Sequence, residues 1–336
     1  MHLQLTDDEL AVHEVFAAFF DKECPPEVVR AAQPLGHDDG LWRRLCQTGA
    51  PGMAVDPEHG GGGATFVEAG LAVQEAGRRI APVPLIEHVV AARLLAAAGA
   101  PPELTGPVVD GAHIATVALH QATDATATFC PAGAVAHVVV ALDGDELVAV
   151  SSEPPGTAKR NTGDLPLADR NLRADGRVVV ATGDTARALH ADALVEWKAL
   201  MSVALTALGE QALAIGREYV MERHQFGVPV GSFQSLQHGL ADSAVGLDGS
   251  NLLAQKALWA VATAQPDRAT VASMALLYAS EAAMRSAATS LQYHGGYGYA
   301  EEYDIQLYYR RAKAWVLQYD DPSLEYQHLA TRILPS

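Results

Sequence analysis

HGGYGYAEEYD, residues 294–304, breaks a helix-forming C-terminal region with two adjacent glycines, a third two places on, and a run of rings and acids. One of these glycines is ordinary, because the left-handed residue that ends a helix is usually glycine and Gly295 stands just past the run ending SLQYH. Gly296 and Gly298 call for another reason. Successive unhindered N–H groups form an anion-binding concavity, and the amide of Gln292 is within reach of the same helix end. On these residues alone, capping and anion binding both stay open.

A second turn, RHQFGVPVGSFQSLQ, residues 223–237, opens the same region. Arg223 closes one long helical run and Phe233 opens the next. An arginine at a helix C-terminus complements the dipole, and Phe226 has an ordinary use as a plug for the loop. The alternative is chemical: a guanidinium is the natural partner of a phosphate pair, and an aromatic ring beside an amide (Gln225, Gln234) suits a planar heterocycle. From Asp192 onward Ala, Leu and Met recur at helical spacing in four runs joined by short Gly or Pro turns, which predicts a four-helix bundle over 191–336.

Between Gly111 and Ala188 the texture changes to short β-branched runs such as HIATVALH, VAHVVVAL and GRVVVAT, divided by DGDE, EPPG and ADGR. The spacing predicts a small, mostly antiparallel β region over 111–190, too tight for the crossovers of a dinucleotide-binding parallel sheet. Residues 1–110 read as short helices separated by CPPE, TGAPG and PEHGGGGAT. The glycine-rich loop there reads as a plain connection.

The chain of 336 residues carries 23 Lys and Arg against 40 Asp and Glu, a net charge of −17, which opposes attraction to nucleic acid or an anionic membrane. Cys24, Cys46 and Cys130 show neither CxxC spacing nor an even count, so no metal site or disulfide framework is expected. The N-terminus lacks a basic and apolar leader, and no uninterrupted apolar run approaches a membrane span. The expectation is a cytoplasmic protein.

Taken together, RHQFGVPVGSFQ, QYHGGYGYAEEY and RRAK resemble the acyl-CoA dehydrogenase family, whose bundle helices are joined by R-x-x-FG-x5-FQ and later by Q-x-x-GG-x-G(Y/F)-x-x-E(Y/F) followed by RDAK. LWRRLCQTGAPGMAVDPEHGGGGATFVEAGLAVQEAGRRIAPVPL is similar to the family's N-terminal helical domain, and the helix, β, helix order matches. The fold this implies is mainly α, with an N-terminal helical domain, a small β-barrel-like middle and a C-terminal four-helix bundle. The resemblance also implies FAD between subunits, held by Arg223, Gln225 and Phe226 of one chain and Gln292, Gly295 and Gly296 of its neighbour. The implied reaction is α,β-desaturation of an acyl-CoA thioester: a carboxylate takes the α proton while the flavin accepts hydride from the β carbon. Electrons would pass to an electron-transfer flavoprotein or similar acceptor.

The chain departs from the family where the base belongs. After RDAK the common pattern is YEGTS, whereas this chain reads RRAKAWVLQYDDPSLEYQ, placing Asp320 and Asp321 nearby but out of register. Other members take the base from the helix leading to the arginine turn; counting back from Arg223 that place falls on Trp197, beside Glu196. Glu196 and Asp320 are therefore the candidate bases, each with an ordinary reading as a helix-flanking acid. The family's TEP-x-x-GSD segment corresponds here to VALHQATDATATFC, where Thr123 and Thr126 offer hydroxyls and His120 reads as a turn residue. This abbreviation resembles the short subunits of heteromeric actinobacterial dehydrogenases of steroid and related acyl-CoA degradation, which implies an α2β2 assembly with a full-length subunit and a bulky or steroid-derived acyl chain. A homo-oligomer, a non-catalytic structural subunit, and a flavin oxidase or monooxygenase of the same fold stay open.

Overall fold

The structure, a computed structural model, describes residues 4–334. Six helices come first: α1 (Asp7–Glu23), α2 (Pro26–Ala31), α3 (Asp39–Cys46), α4 (Phe66–Arg78), α5 (Leu85–Ala97) and α6 (Pro102–Val109). Two of them start on reciprocal caps, Thr6 with Glu9 for α1 and Thr65 with Glu68 for α4, each satisfying two backbone N–H groups that the first turn leaves over. Helix α5 has no polar face. Leu85 to Ala92 are all buried, Glu87 and His88 among them, so this helix runs through the interior rather than along the surface.

Strands β1 (Ala115–Val117), β3 (Val138–Asp143), β4 (Glu146–Ser151) and β6 (Gly176–Thr182) form one sheet in the order β1-β3-β4-β6. Only β1 and β3 run parallel; β3 pairs β4 with Val140 opposite Ala149, and β4 pairs β6 with Ala149 opposite Val178. Strands β2 (Thr126–Cys130) and β5 (Ala168–Asn171) make a separate antiparallel pair. The loops beside that pair are held by buried Arg170, whose guanidinium donates to the carbonyls of Gly133 at 2.8 Å and Ala136 at 2.6 Å and to Ser152 Oγ at 2.6 Å.

Helix α7 (Gly183–Glu222) begins directly after β6, inside the stretch whose β-branched texture reads as strand. It is the axis of the molecule, packing on α4, α5, α8 (Gln234–Ala262), α9 (Arg268–Tyr293) and α10 (Ile305–Val316). A short α11 (Pro322–Ile333) closes the chain over α9. Among the described residues α7 is the one helix long and apolar enough to cross a membrane, and 72% of its most apolar window is buried against the other helices. Its apolar surface is thus core, as the small residues at its crossings require: a Cβ on Gly77 of α4 would lie 2.6 Å from the backbone of Ala204, and one on Gly209 would lie 3.0 Å from Ala283 Cα of α9. Close approach fixes glycine at both places.

Candidate functional site

The two turns meet at one end of the bundle. After α7 the chain makes a two-residue hairpin, β7 (His224–Gln225) against β8 (Val228–Pro229), with positive φ at both corner residues, 53° at Phe226 and 82° at Gly227. Such a turn normally takes Asn-Gly or Gly-Gly, and an aromatic residue in the left-handed region carries a cost. The cost is spent on display: Phe226 is 92% exposed, its ring edge-on to that of Phe233 with centroids 6.3 Å apart. Arg223 and Gln225 are exposed as well, and Arg223 makes no ion pair among the described residues; its guanidinium lies 5.9 Å from the centre of the Tyr297 ring.

At the neighbouring turn the three glycines of HGGYGY have three different reasons. Gly295 has φ 61°, the left-handed conformation that ends α9. Gly298 is buried, and a Cβ there would stand 2.5 Å from the carbonyl oxygen of Leu291. Gly296 has neither positive φ nor any atom within 4 Å of an added Cβ, so no local packing demands its bareness. His294 anchors the turn, stacking on Tyr219 at 4.0 Å, while Gln292, Gly295 and Gly296 face solvent.

The candidate bases are not together. Glu196 is gripped by Arg93 of α5 through both carboxylate oxygens, at 3.0 and 2.8 Å, and Arg93 also donates to the carbonyl of Ala54 at 2.6 Å. Asp320 accepts the N–H of Asp321 at 2.8 Å, and Asp321 caps α11 by accepting from the N–H of Ser323 at 2.8 Å. Between these acids stand rings. Trp197 is 1% exposed and lies 5.9 Å from Tyr319, which stacks in turn on His120 at 5.8 Å. Lys198 sits 4.5 Å from the Tyr319 ring and forms a buried ion pair with Glu325 at 2.6 Å. Thr123 and Thr126 bridge each other across a tight turn of the β lobe.

Where the N-terminal helices, the β lobe and the bundle meet lies a small, partly open cavity of about 50 Å³. Its walls come from α4 and α5, from Leu165 and Pro166 of the β lobe, from Met201 and Ala204 of α7, and from Arg311, Trp315 and Gln318. Two ionisable groups line it, Glu87 and Arg311, and neither was singled out in the reading of the sequence. Burial holds the Glu87 carboxyl above the usual carboxylate range. The charge of Arg311 opposes this, while the nearby Trp197 indole N–H is buried without an acceptor in hydrogen-bonding geometry among the described residues. The signals were available: an acid inside the mostly apolar PLIEHVVAARLL, and an arginine in RRAK where the resembling pattern has aspartate.

With this geometry in hand, the likenesses to known proteins are concrete. The family model described as Acyl-CoA dehydrogenase, N-terminal domain matches residues 6–102, and Acyl-CoA dehydrogenase, C-terminal domain matches 192–316. Acyl-CoA dehydrogenase IpdE2 of Mycolicibacterium smegmatis is 30% identical over 317 residues, covering 92% of this chain and 93% of that one. Among solved structures, the ChsE4-ChsE5 complex from Mycobacterium tuberculosis superposes with a TM-score of 0.87 at 25% identity, covering both chains in full. A Tcur3481-Tcur3483 steroid ACAD variant gives 0.86 at 25% identity, over 97% of this chain and 98% of that one. Matches to both terminal domains in their proper order, and a relative that aligns almost end to end, place the chain in the acyl-CoA dehydrogenase family of FAD-dependent oxidoreductases.

Proposed function

We propose that this chain is one subunit of a heteromeric acyl-CoA dehydrogenase, completing an FAD site at the subunit interface while a full-length partner supplies the catalytic base. The observation that carries the reading is the contrast between two regions of one bundle. At one end, Phe226 is held exposed at a cost in backbone strain, and Arg223 and Gly296 stand exposed beside it, the one without an ion pair among the described residues and the other without a local packing reason for its bareness. In its middle, the places from which family members draw a base are occupied by Trp197 and Tyr319, while Glu196 and Asp320 are bound to other groups.

Both turns, which the resemblance assigns to two neighbouring chains, stand side by side in this one chain, and their exposed groups fit the adenosine and pyrophosphate end of FAD. Arg223 carries a positive charge without an ion-pair partner among the described residues, Gly295 and Gly296 present unshielded N–H groups, and the rings of Phe226 and Phe233 offer a face for a heterocycle. Gln225 and Gln292 add amides that hold the ligand's orientation without charge. When bound, the flavin supplies the acceptor for the hydride lost from the β carbon. This chain's own residues bind and orient it; the removal of the α proton falls to the partner's carboxylate. The likeness to the ChsE4-ChsE5 complex and to the Tcur3481-Tcur3483 steroid ACAD supports a two-chain assembly, read here as α2β2, and a bulky acyl group; the same reading makes the protein cytoplasmic, with a flavoprotein as its electron acceptor.

The test is expression of the chain alone and together with a full-length acyl-CoA dehydrogenase subunit encoded beside it, followed by native mass and flavin content. An assembly of two copies of each chain that retains FAD is the expected result. A flavin-loaded homotetramer of this chain with turnover of its own would overturn the heteromeric reading.

A further inference from the structure

Helix α8 keeps its outward face partly apolar. Val245 is 71% exposed and Leu252 51%, and on the neighbouring α9 Met274 and Tyr278 are exposed as well. Exposed apolar residues scattered singly need no explanation, but these stand together on one side of the bundle. Helix α9 runs antiparallel beside α8, Tyr293 lying against Gly239 and Tyr278 against Gly249, where a Cβ would stand 2.9 Å from the Tyr278 hydroxyl. The ring of Tyr278 thus covers the glycine at the middle of the face.

The charges on this face are ordered. Asp242, Val245, Gly249, Leu252 and Lys256 follow one another at intervals of three and four residues, which makes them one stripe about 20 Å long. Asp242 and Lys256 are exposed, and neither has an ion-pair partner among the described residues. Read backwards, the stripe is its own complement. A second copy of α8, turned about a two-fold axis near Gly249, sets its Lys256 against Asp242 and its Leu252 against Val245, and every contact occurs twice. A parallel copy sets Asp242 against Asp242, so charge selects the antiparallel arrangement. The three-and-four repeat is also the spacing at which two helices pack along their length. We propose that α8 is a self-complementary face along which two copies of this chain pack antiparallel about that axis. Asp248, one residue from the axis, meets its own copy on the flank of the stripe. This like-charge contact and the narrowness of the stripe make the pairing weak in isolation, since a stable interface buries about 800 Å² on each partner. The face therefore serves an assembly that other contacts already hold. This rests on the two-chain reading and names the contact that joins the two halves of an α2β2 complex.

Charge reversal tests this in the whole complex. The chain is co-expressed with the full-length acyl-CoA dehydrogenase subunit encoded beside it, as wild type, D242K, K256D and D242K/K256D. The mass of each complex is followed by light scattering on dilution, and circular dichroism checks that helix content is intact. Each single variant sets like charges against each other twice per interface, and should raise the concentration at which the complex falls into halves by about tenfold or more. The double variant restores opposite charges with their order exchanged, and should bring that concentration back to within about threefold of wild type. Single variants that leave it unchanged overturn the proposal. So does a double variant no better than the single ones, because a different chain then covers the face. A wild-type complex holding one copy of this chain overturns the pairing and leaves the two-chain reading intact; an assembly of this chain alone that still follows the charge pattern does the reverse.

Discussion

The rings of Trp197 and Tyr319 lie 5.9 Å apart, one on α7 and the other just past the end of α10, in the regions from which acyl-CoA dehydrogenases take their base. The acids beside them in sequence point to other tasks. Glu196 is one residue from Trp197, and one residue turns a helical side chain by about 100°; that rotation sends its carboxylate to Arg93 on α5. Removing it should cost stability and not chemistry. E196Q is expected to lower unfolding stability by about 1–2 kcal/mol, between the values for an exposed and a buried ion pair, while the complex keeps its turnover within about twofold. D320N should change neither. Urea unfolding and steady-state desaturation rates check both, and a large loss of turnover in either variant would return the base to this chain.

The ion pair of Lys198 with Glu325 ties α7 to α11 with side chains only 5% and 2% exposed. Burial opposes both charges, and each is retained because the other is present. K198M leaves Glu325 buried without its partner and is expected to destabilise by about 3 kcal/mol or more. The double variant K198M/E325L should recover most of that loss, because two apolar groups leave no orphaned charge. Denaturant midpoints for the two single variants and the double variant decide the matter; additive losses would show that the pair is not coupled.

His88 makes the fold sensitive to acid. Its Nδ1 accepts the N–H of Ala115 at 3.1 Å, so the ring proton sits on Nε2, which donates to the carbonyl of Val108 at 2.9 Å. A second proton has no place to go. Burial pushes its pKa from 6.5 to about 4. Between those values the unfolded chain binds the proton and the folded chain does not, so stability is full above about pH 6.5 and falls as pH drops toward 4, by about 3 kcal/mol in all. His37 and His190 are shifted in the same direction by burial and add to the loss. H88N, whose amide oxygen replaces the acceptor but does not titrate, should show a smaller difference in unfolding free energy between pH 7 and pH 4.5.

Glycine substitutions separate holding the fold from holding the flavin. G295A places a Cβ at φ 61° and should cost about 1 kcal/mol. G296V, at a position with normal φ and open space, should leave thermal stability of the flavin-free protein unchanged while abolishing FAD retention. R223Q should weaken FAD binding about tenfold or more without altering unfolding. Flavin retained by G296V and R223Q alike would move the cofactor away from these turns.

Much of the fold could be read from the chain because helical spacing, short β-branched runs and glycine punctuation are local signals. The helix α7 starting at Gly183 is the instructive exception: its first turns, GDTARALH, are polar and short of apolar spacing, and they form helix because they continue one that is buried further on. The two turns of the candidate flavin site were legible because exposed special residues have few local explanations. Glu87 and Arg311 left only faint local signals, an acid in a mostly apolar run and an arginine in place of an aspartate, and what brings them together lies across the lobes. Partner relationships over more than two hundred residues leave no period in a sequence.

The central claim, that this chain helps to hold flavin while another chain removes the proton, is tested most directly by anaerobic mixing with an acyl-CoA thioester. The account predicts that the flavin absorbance of the two-subunit complex is bleached and that this chain alone, loaded with FAD, is not. Full bleaching of the chain alone, at the rate of the complex, would contradict it.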